Sequence, residues 1–275
     1  MLLDNDREYT YKSLVLAPGF DHQSKYIEGL EDFEGGRGEN RVFTHLIDTK
    51  KRAVDRNYYH GWMHANGDML NYYPKLPYKG EGTDFYSLYY EHYVRQDMLQ
   101  GRAAKNAKIQ VWTPNKEIYK YSYANEVALD ECNKRGIEVF FGWEMVQMKS
   151  NEHGEKICVF KNVDTGETIE KDFQSAVINP PSKPHQELVN GGLTDAEGLV
   201  DVNPYTLQHK RYENVFAFGD CIAVNTTRTQ SAAVAQCPII KHNLKNFLEG
   251  KELNGIYDGY TYMPFLLGHS YSTCF

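Results

Sequence analysis

The sequence predicts an α/β protein built around a parallel sheet, and three observations predict it. Short apolar runs alternate with stretches of helical periodicity through the middle of the chain, a pattern that lays parallel strands side by side with helices crossing over them. Two apolar strands, one near each end, run into a glycine turn, at Gly19 and at Gly219. The 275 residues, 41% of them hydrophobic, suffice for two modest cores, and a usual domain length of roughly 100–200 residues favours two lobes.

Taken in order, residues 9–19 alternate and then run apolar, a strand entering a turn at Gly19. Residues 29–40, rich in glycine and acidic side chains, read as a loop, followed by a polar stretch to residue 56 with room for a short helix. Residues 68–73 form a strand. A proline-containing loop then leads to a helix over 83–95, where Phe85, Leu88, Tyr89, His92 and Tyr93 share one face. Residues 109–112 give a strand, 119–134 a helix, and 136–141 a strand that stops at Gly142. Two strands over 156–162 and 167–173 flank an Asp164-Thr165-Gly166 turn and read as a hairpin. A buried strand over 175–179 is stopped by Pro180 and Pro181. Residues 214–218 form an apolar strand ending at Gly219-Asp220. A helix over 229–248 follows, with small residues Ser231, Ala232, Ala233 and Ala235 at its start and Pro238 predicting a kink.

Composition excludes several classes. A net charge of -7 with scattered Lys and Arg argues against nucleic acid as a partner. The five cysteines, Cys132, Cys158, Cys221, Cys237 and Cys274, are widely spaced, form no C-x-x-C pair and suggest no metal cluster, so they read as reduced thiols. No apolar run approaches the roughly 18 residues that span a bilayer, and the opening residues carry no secretory or Arg-rich presequence pattern.

The string Gly198-Leu-Val-Asp-Val-Asn-Pro-Tyr-Thr-Leu-Gln-His-Lys-Arg-Tyr-Glu-Asn-Val-Phe-Ala-Phe-Gly-Asp-Cys221 resembles the C-terminal flavin motif of sulfide:quinone oxidoreductases of the mitochondrial type. The resemblance continues through Thr226-Thr227-Arg228-Thr229, residues 232–236 and Tyr257-Asp258-Gly259-Tyr260-Thr261. Upstream, Ser13-Leu14-Val15-Leu16-Ala17-Pro18-Gly19 resembles that family's strand-to-glycine signature. The resemblance implies two Rossmann-like domains. Residues 1–34 and 174–275 would form a partial FAD-binding domain, and 35–173 a second Rossmann-like, NAD-domain-type unit. It also implies FAD contacts at Gly19, Gly219, Asp220, Arg228 and Thr229. A strand-end glycine permits close backbone approach, an aspartate accepts hydrogen bonds from sugar or ribityl hydroxyls, and a helix N-terminus favours an anionic reduced ring. Arg228 stands where the family often has lysine, which keeps the charge and changes the geometry.

Two family features are not found in this chain. The opening G-x-G-x-x-G unit has no counterpart. The nearest glycine pairs, Gly36-Arg37-Gly38 and Gly80-Glu81-Gly82, lack the third glycine and the acidic partner, which makes FAD doubtful for the chain alone. The two redox cysteines fall at Gly80 and Met263, and neither can form a persulfide, so no catalytic residue is expected. Cys221 reads as a packing residue beside the flavin position. Cys237 and Cys274 are weak substitutes. Phe265, Leu266 and Leu267 would be a remnant of a quinone-side wall or simply core.

Three readings follow: a part of an active flavoenzyme, a degenerate non-catalytic subunit with a structural role among protein partners, or a split flavoprotein completed by another chain. The lost cysteines favour the second. The resemblance alone implies a place on the matrix side of the inner mitochondrial membrane, which allows peripheral membrane contact.

Overall fold

The computed structural model describes residues 8–33, 42–44, 68–77, 95, 107–268 and 271–274. The chain separates into two units, residues 1–21 with 183–263, and residues 22–182 with 264–275. These limits differ from 34/35 and 173/174, and packing gives the reason for the first difference. Ile27 and Leu30 are fully buried in the core of the middle unit. Gly29, at φ 73°, lies so close to the Met148 carbonyl that a side chain would strike it. Glu28 bridges Gln147 in parallel, which fixes this turn against the neighbouring strand.

The middle unit is a five-stranded parallel sheet. Its strands are β3 (Val42–Phe43), β4 (Met69–Tyr72), β5 (Ile109–Thr113), β6 (Glu138–Phe141) and β10 (Ser175–Ile178), in the order β3-β10-β4-β5-β6. β4 and β10 are buried at every residue and β5 at all but Gln110, so both faces are covered at the centre of the sheet. The helix Ser122–Arg135 buries Ala124, Ala128 and Cys132, and closes on Gly136 at φ 70°. The helix expected over 83–95 lies outside the described residues, apart from Arg95, which is helical.

A three-stranded antiparallel sheet completes this unit, built from β7 (Trp143–Ser150), β8 (Lys156–Asn162) and β9 (Thr168–Asp172). β8 and β9 form the expected hairpin. β7 is a strand that the sequence pattern did not reveal. Its residues Met145 and Met148 are buried with a bulge between Met145 and Gln147, so the apolar positions fall three apart and break the two-residue period. Trp112 anchors the core, stacked on Phe140 at 4.1 Å and on Phe160 at 4.5 Å between ring centres. β13 (Pro264–Gly268) and β14 (Tyr271–Cys274) pair as a hairpin, so Phe265, Leu266 and Leu267 belong to a strand.

The outer unit is smaller. Of the run over 9–19 only β1 (Leu14–Leu16) is a strand, and it pairs in parallel with β12 (Val215–Ala217). The helix Gln230–Leu248 buries Ala232, Gln236, Ile240 and Asn243 along one side. It continues as one helix through Pro238. Pro238 and Val234 are both exposed, so water can serve the Val234 carbonyl that proline leaves without an N–H donor. The core beneath gathers Val200, Val202, Leu207, Phe216, Ile222 and Ile240.

Candidate functional site

The register of β1 on β12 sets Leu16 opposite Ala217, and the Phe218 N–H donates to the Leu16 carbonyl at 3.1 Å. The two strands therefore end side by side, at the carboxyl edge where open parallel sheets bind ligands. Each then turns through a glycine in the left-handed region, Gly19 at φ 75° and Gly219 at φ 81°. No atom lies within 4 Å of the point where a side chain would begin at either glycine. The floor of this edge is open backbone. Gly219 is held by its N–H, which donates to Gln236 Oε1 at 2.8 Å from within the following helix. Asp220 is half-buried at the turn.

Thr229 caps the helix Gln230–Leu248, its Oγ1 accepting from the Ala232 N–H at 3.2 Å. The same hydroxyl meets Ser231 Oγ and Thr261 Oγ1, each at 2.8 Å, and Thr261 also meets the Thr227 hydroxyl. Ser231 Oγ donates to the Tyr262 carbonyl and accepts from its N–H, each at 2.8 Å. A closed set of hydroxyls thus ties the helix start to residues 261–262. Arg228 is buried at 4% exposure. Its guanidinium donates to the carbonyls of Val224 at 3.2 Å, Thr226 at 3.0 Å and Ile222 at 3.3 Å. Nε is the one nitrogen of this group left buried without a partner. The guanidinium also stands 6.0 Å from the Phe20 ring, which places it beside the Gly19 turn.

All five residues named from the sequence, Gly19, Gly219, Asp220, Arg228 and Thr229, lie in the outer unit around these strand ends. The open glycine turns and the orphaned Arg228 Nε fit close approach of a polar ring or sugar. Gln236, Thr227, Ser231 and Thr261 were missed. They lie in or beside the motifs quoted above, but the contacts that bring them to the site join positions 17 to 34 residues apart, which a local pattern does not reveal.

Cys132, Cys158 and Cys221 are buried thiols. Burial pushes the Cys221 thiol up to about 11 and the Cys132 thiol up to about 12, and raises Cys158 as well. Cys221 Sγ donates to the Phe218 carbonyl at 3.4 Å and is 3% exposed, in keeping with a packing role. Cys237 is exposed on the helix, and Cys274 lies in β14. Met263 is buried at 1% exposure, while Gly80 and the Gly36-Arg37-Gly38 turn lie outside the described residues. Among the described residues no group of His, Cys, Asp and Glu is arranged to hold a metal.

The parallel sheet and the strand-end glycines place the chain in the Rossmann-like α/β class. Within that class the chain is similar to sulfide:quinone oxidoreductases. It is 36% identical to the mitochondrial sulfide:quinone oxidoreductase of Schizosaccharomyces pombe over 170 residues, which are 61% of this chain and 36% of that protein. It is 26% identical to the Mus musculus mitochondrial enzyme over 97% of this chain and 57% of that protein. The chain thus spans between about a third and just over half of these relatives' lengths. No protein-family model matches it. Among solved structures, a chain of the Tetrahymena thermophila mitochondrial ATP synthase F1Fo tetramer superposes with a TM-score of 0.89 at 27% identity, covering 99% of this chain and 65% of that one. The sulfide:quinone oxidoreductase of Aquifex aeolicus gives 0.64 at 13% identity, covering 96% of this chain and 59% of that one, and shares the fold.

Proposed function

We propose that this chain is a sulfide:quinone oxidoreductase-like protein that serves as a non-catalytic, structural subunit of a mitochondrial assembly of the ATP synthase kind. One observation carries the reading: nearly the whole chain matches, at 27% identity and a TM-score of 0.89, a chain of the Tetrahymena ATP synthase. The chemistry agrees. Met263 occupies one expected cysteine position, and the buried thiols of Cys132, Cys158 and Cys221 are held protonated. A fold kept for its packing tolerates such losses, because sheet, helix and core do not depend on the nucleophile.

The test is to tag the chain in its native cells and resolve mitochondrial complexes by native electrophoresis in mild detergent. The expected result is co-migration with ATP synthase and no sulfide-dependent quinone reduction by the isolated chain. Migration apart from that complex, or sulfide-dependent quinone reduction, overturns the reading.

The second reading is a flavin-dependent oxidoreductase transferring electrons from sulfide or another donor to quinone. It is favoured by the named relatives and by the open turns at Gly19 and Gly219. A flavin held by this chain would lie against Gly219 and Asp220, with Thr229 at the helix start and Arg228 behind. A flavin supplies two-electron chemistry when bound, and these residues would orient it. A split flavoprotein completed by another chain would use the same residues. Both forms predict a yellow complex.

A further inference from the structure

The helix Gln230–Leu248 carries two faces. One is turned into the core through Ala232, Gln236, Ile240 and Asn243. The other, roughly 120° around at about 100° per residue, is the row Val234, Cys237, Lys241, Leu244 and Leu248. Its spacings alternate between three and four residues, the repeat of a helix-packing seam. Val234 is 63% exposed and Leu248 54%, Cys237 and Lys241 are exposed, and Leu244 is half-buried. Beside the row lies an open groove of about 460 Å³, lined by Phe218, Ile240 and Leu244 together with Lys241, Lys245 and Glu249.

We propose that this seam docks one amphipathic, acidic helix of a partner subunit, with leucine-type residues at the same spacing and carboxylates facing Lys241 and Lys245. The proposal rests on the assembly-subunit reading and names its contact surface. Charge selects the occupant. On a chain of net charge -7 the seam and the groove beside it present two lysines one turn apart. Glu249 is held by Lys251 at 2.6 Å and Lys245 reaches it only at 3.9 Å, while Lys241 makes no ion pair among the described residues. A second copy of the chain would bring the same lysines to the seam from both sides, and like charges facing each other act against that pairing. An acidic helix satisfies both lysines while its apolar ridge covers Val234, Leu244 and Leu248.

The probe is a synthetic helix of about 21 residues, three heptads, with leucine at the seam positions and glutamate flanking them. Its isomer with lysine in place of glutamate is the control. Binding to the full chain is followed by fluorescence anisotropy of the labelled peptide. The acidic peptide is expected to bind and the basic one not. Val234→Glu with Leu248→Glu, both at exposed positions that leave the fold intact by circular dichroism, should weaken binding by about tenfold or more. Lys241→Glu with Lys245→Glu should reverse the preference to the basic peptide. Equal binding of both peptides, binding of neither, or a concentration-dependent dimer abolished by Val234→Glu with Leu248→Glu overturns the proposal. Failure of the subunit reading is read separately, from the migration of the unaltered chain. If that chain enters the complex and the Val234→Glu, Leu248→Glu chain enters equally well, the seam is wrong and the subunit reading stands.

Discussion

Cys221 follows the strand-end Gly219-Asp220 pair directly, so its reactivity decides whether a thiol survives beside this site. The perturbation is alkylation with iodoacetamide. At pH 8 a thiol of ordinary pKa near 8.5 is about one-quarter thiolate, whereas one at about 11 is roughly one part in a thousand. The ratio is about 200-fold against Cys221. A more basic thiolate is intrinsically more nucleophilic, which returns roughly tenfold, so about 20-fold remains before access is considered. Burial at 3% exposure then slows the reaction further. Timed alkylation, with peptide mass spectrometry against an added small reference thiol, measures the ratio. Raising the pH from about 8 to about 10 separates the two causes, because thiolate content rises roughly 100-fold while access to the folded chain is unchanged. Alkylation of Cys221 at or above the reference rate at pH 8 would refute the assignment of this thiol to packing.

Asn243 gives a second prediction. Its side chain donates to the carbonyls of Thr206 at 3.0 Å and Gly255 at 2.9 Å, and accepts from the Gly255 N–H at 2.8 Å. Asn243→Ala strands these groups and should cost about 2–4 kcal/mol, seen as a lowered urea midpoint. An unchanged midpoint rejects the role. The three buried thiols also set a pH dependence. Folded, they stay protonated to about 11 for Cys221 and about 12 for Cys132, with Cys158 raised too, whereas the unfolded chain releases these protons from about pH 8.5. The unfolded state then binds fewer protons, so stability is full below about pH 8.5 and falls as pH rises, by up to about 1.4 kcal/mol per unit for each thiol. Urea midpoints at pH 8 and 10, compared with those of Cys132→Ala, read the slope. If the chain is isolated with flavin in a complex, Asp220→Ala should release it, and an undiminished visible flavin band would remove Asp220 from the site.

Legibility followed the range of the forces. The parallel sheet was readable because strands buried on both faces are written as short, mostly apolar runs, as in Ile109–Thr113 with its single Gln110 and in Ala176–Ile178 of the strand Ser175–Ile178. The helix start near Thr229 was readable because helical spacing is a local pattern, and the cap that Thr229 makes to the Ala232 N–H is what the structure adds. β7 was not, because its bulge shifts the apolar positions out of phase and only β8 beside it fixes the register.

The sequence by itself determined the α/β class, the two strand-end glycine turns and the residue types that surround them. Each is a local pattern or a residue identity. Only the tertiary structure decided that the Arg228 guanidinium spends its donors on the carbonyls of Ile222, Val224 and Thr226, and that Gln236 holds the Gly219 turn. It also decided that Thr261 closes over Thr227 and Thr229. These contacts depend on where chain segments meet in space. Burial likewise, and not spacing, sets the protonation of the cysteines, because desolvation is a property of the packed surroundings and not of the residue.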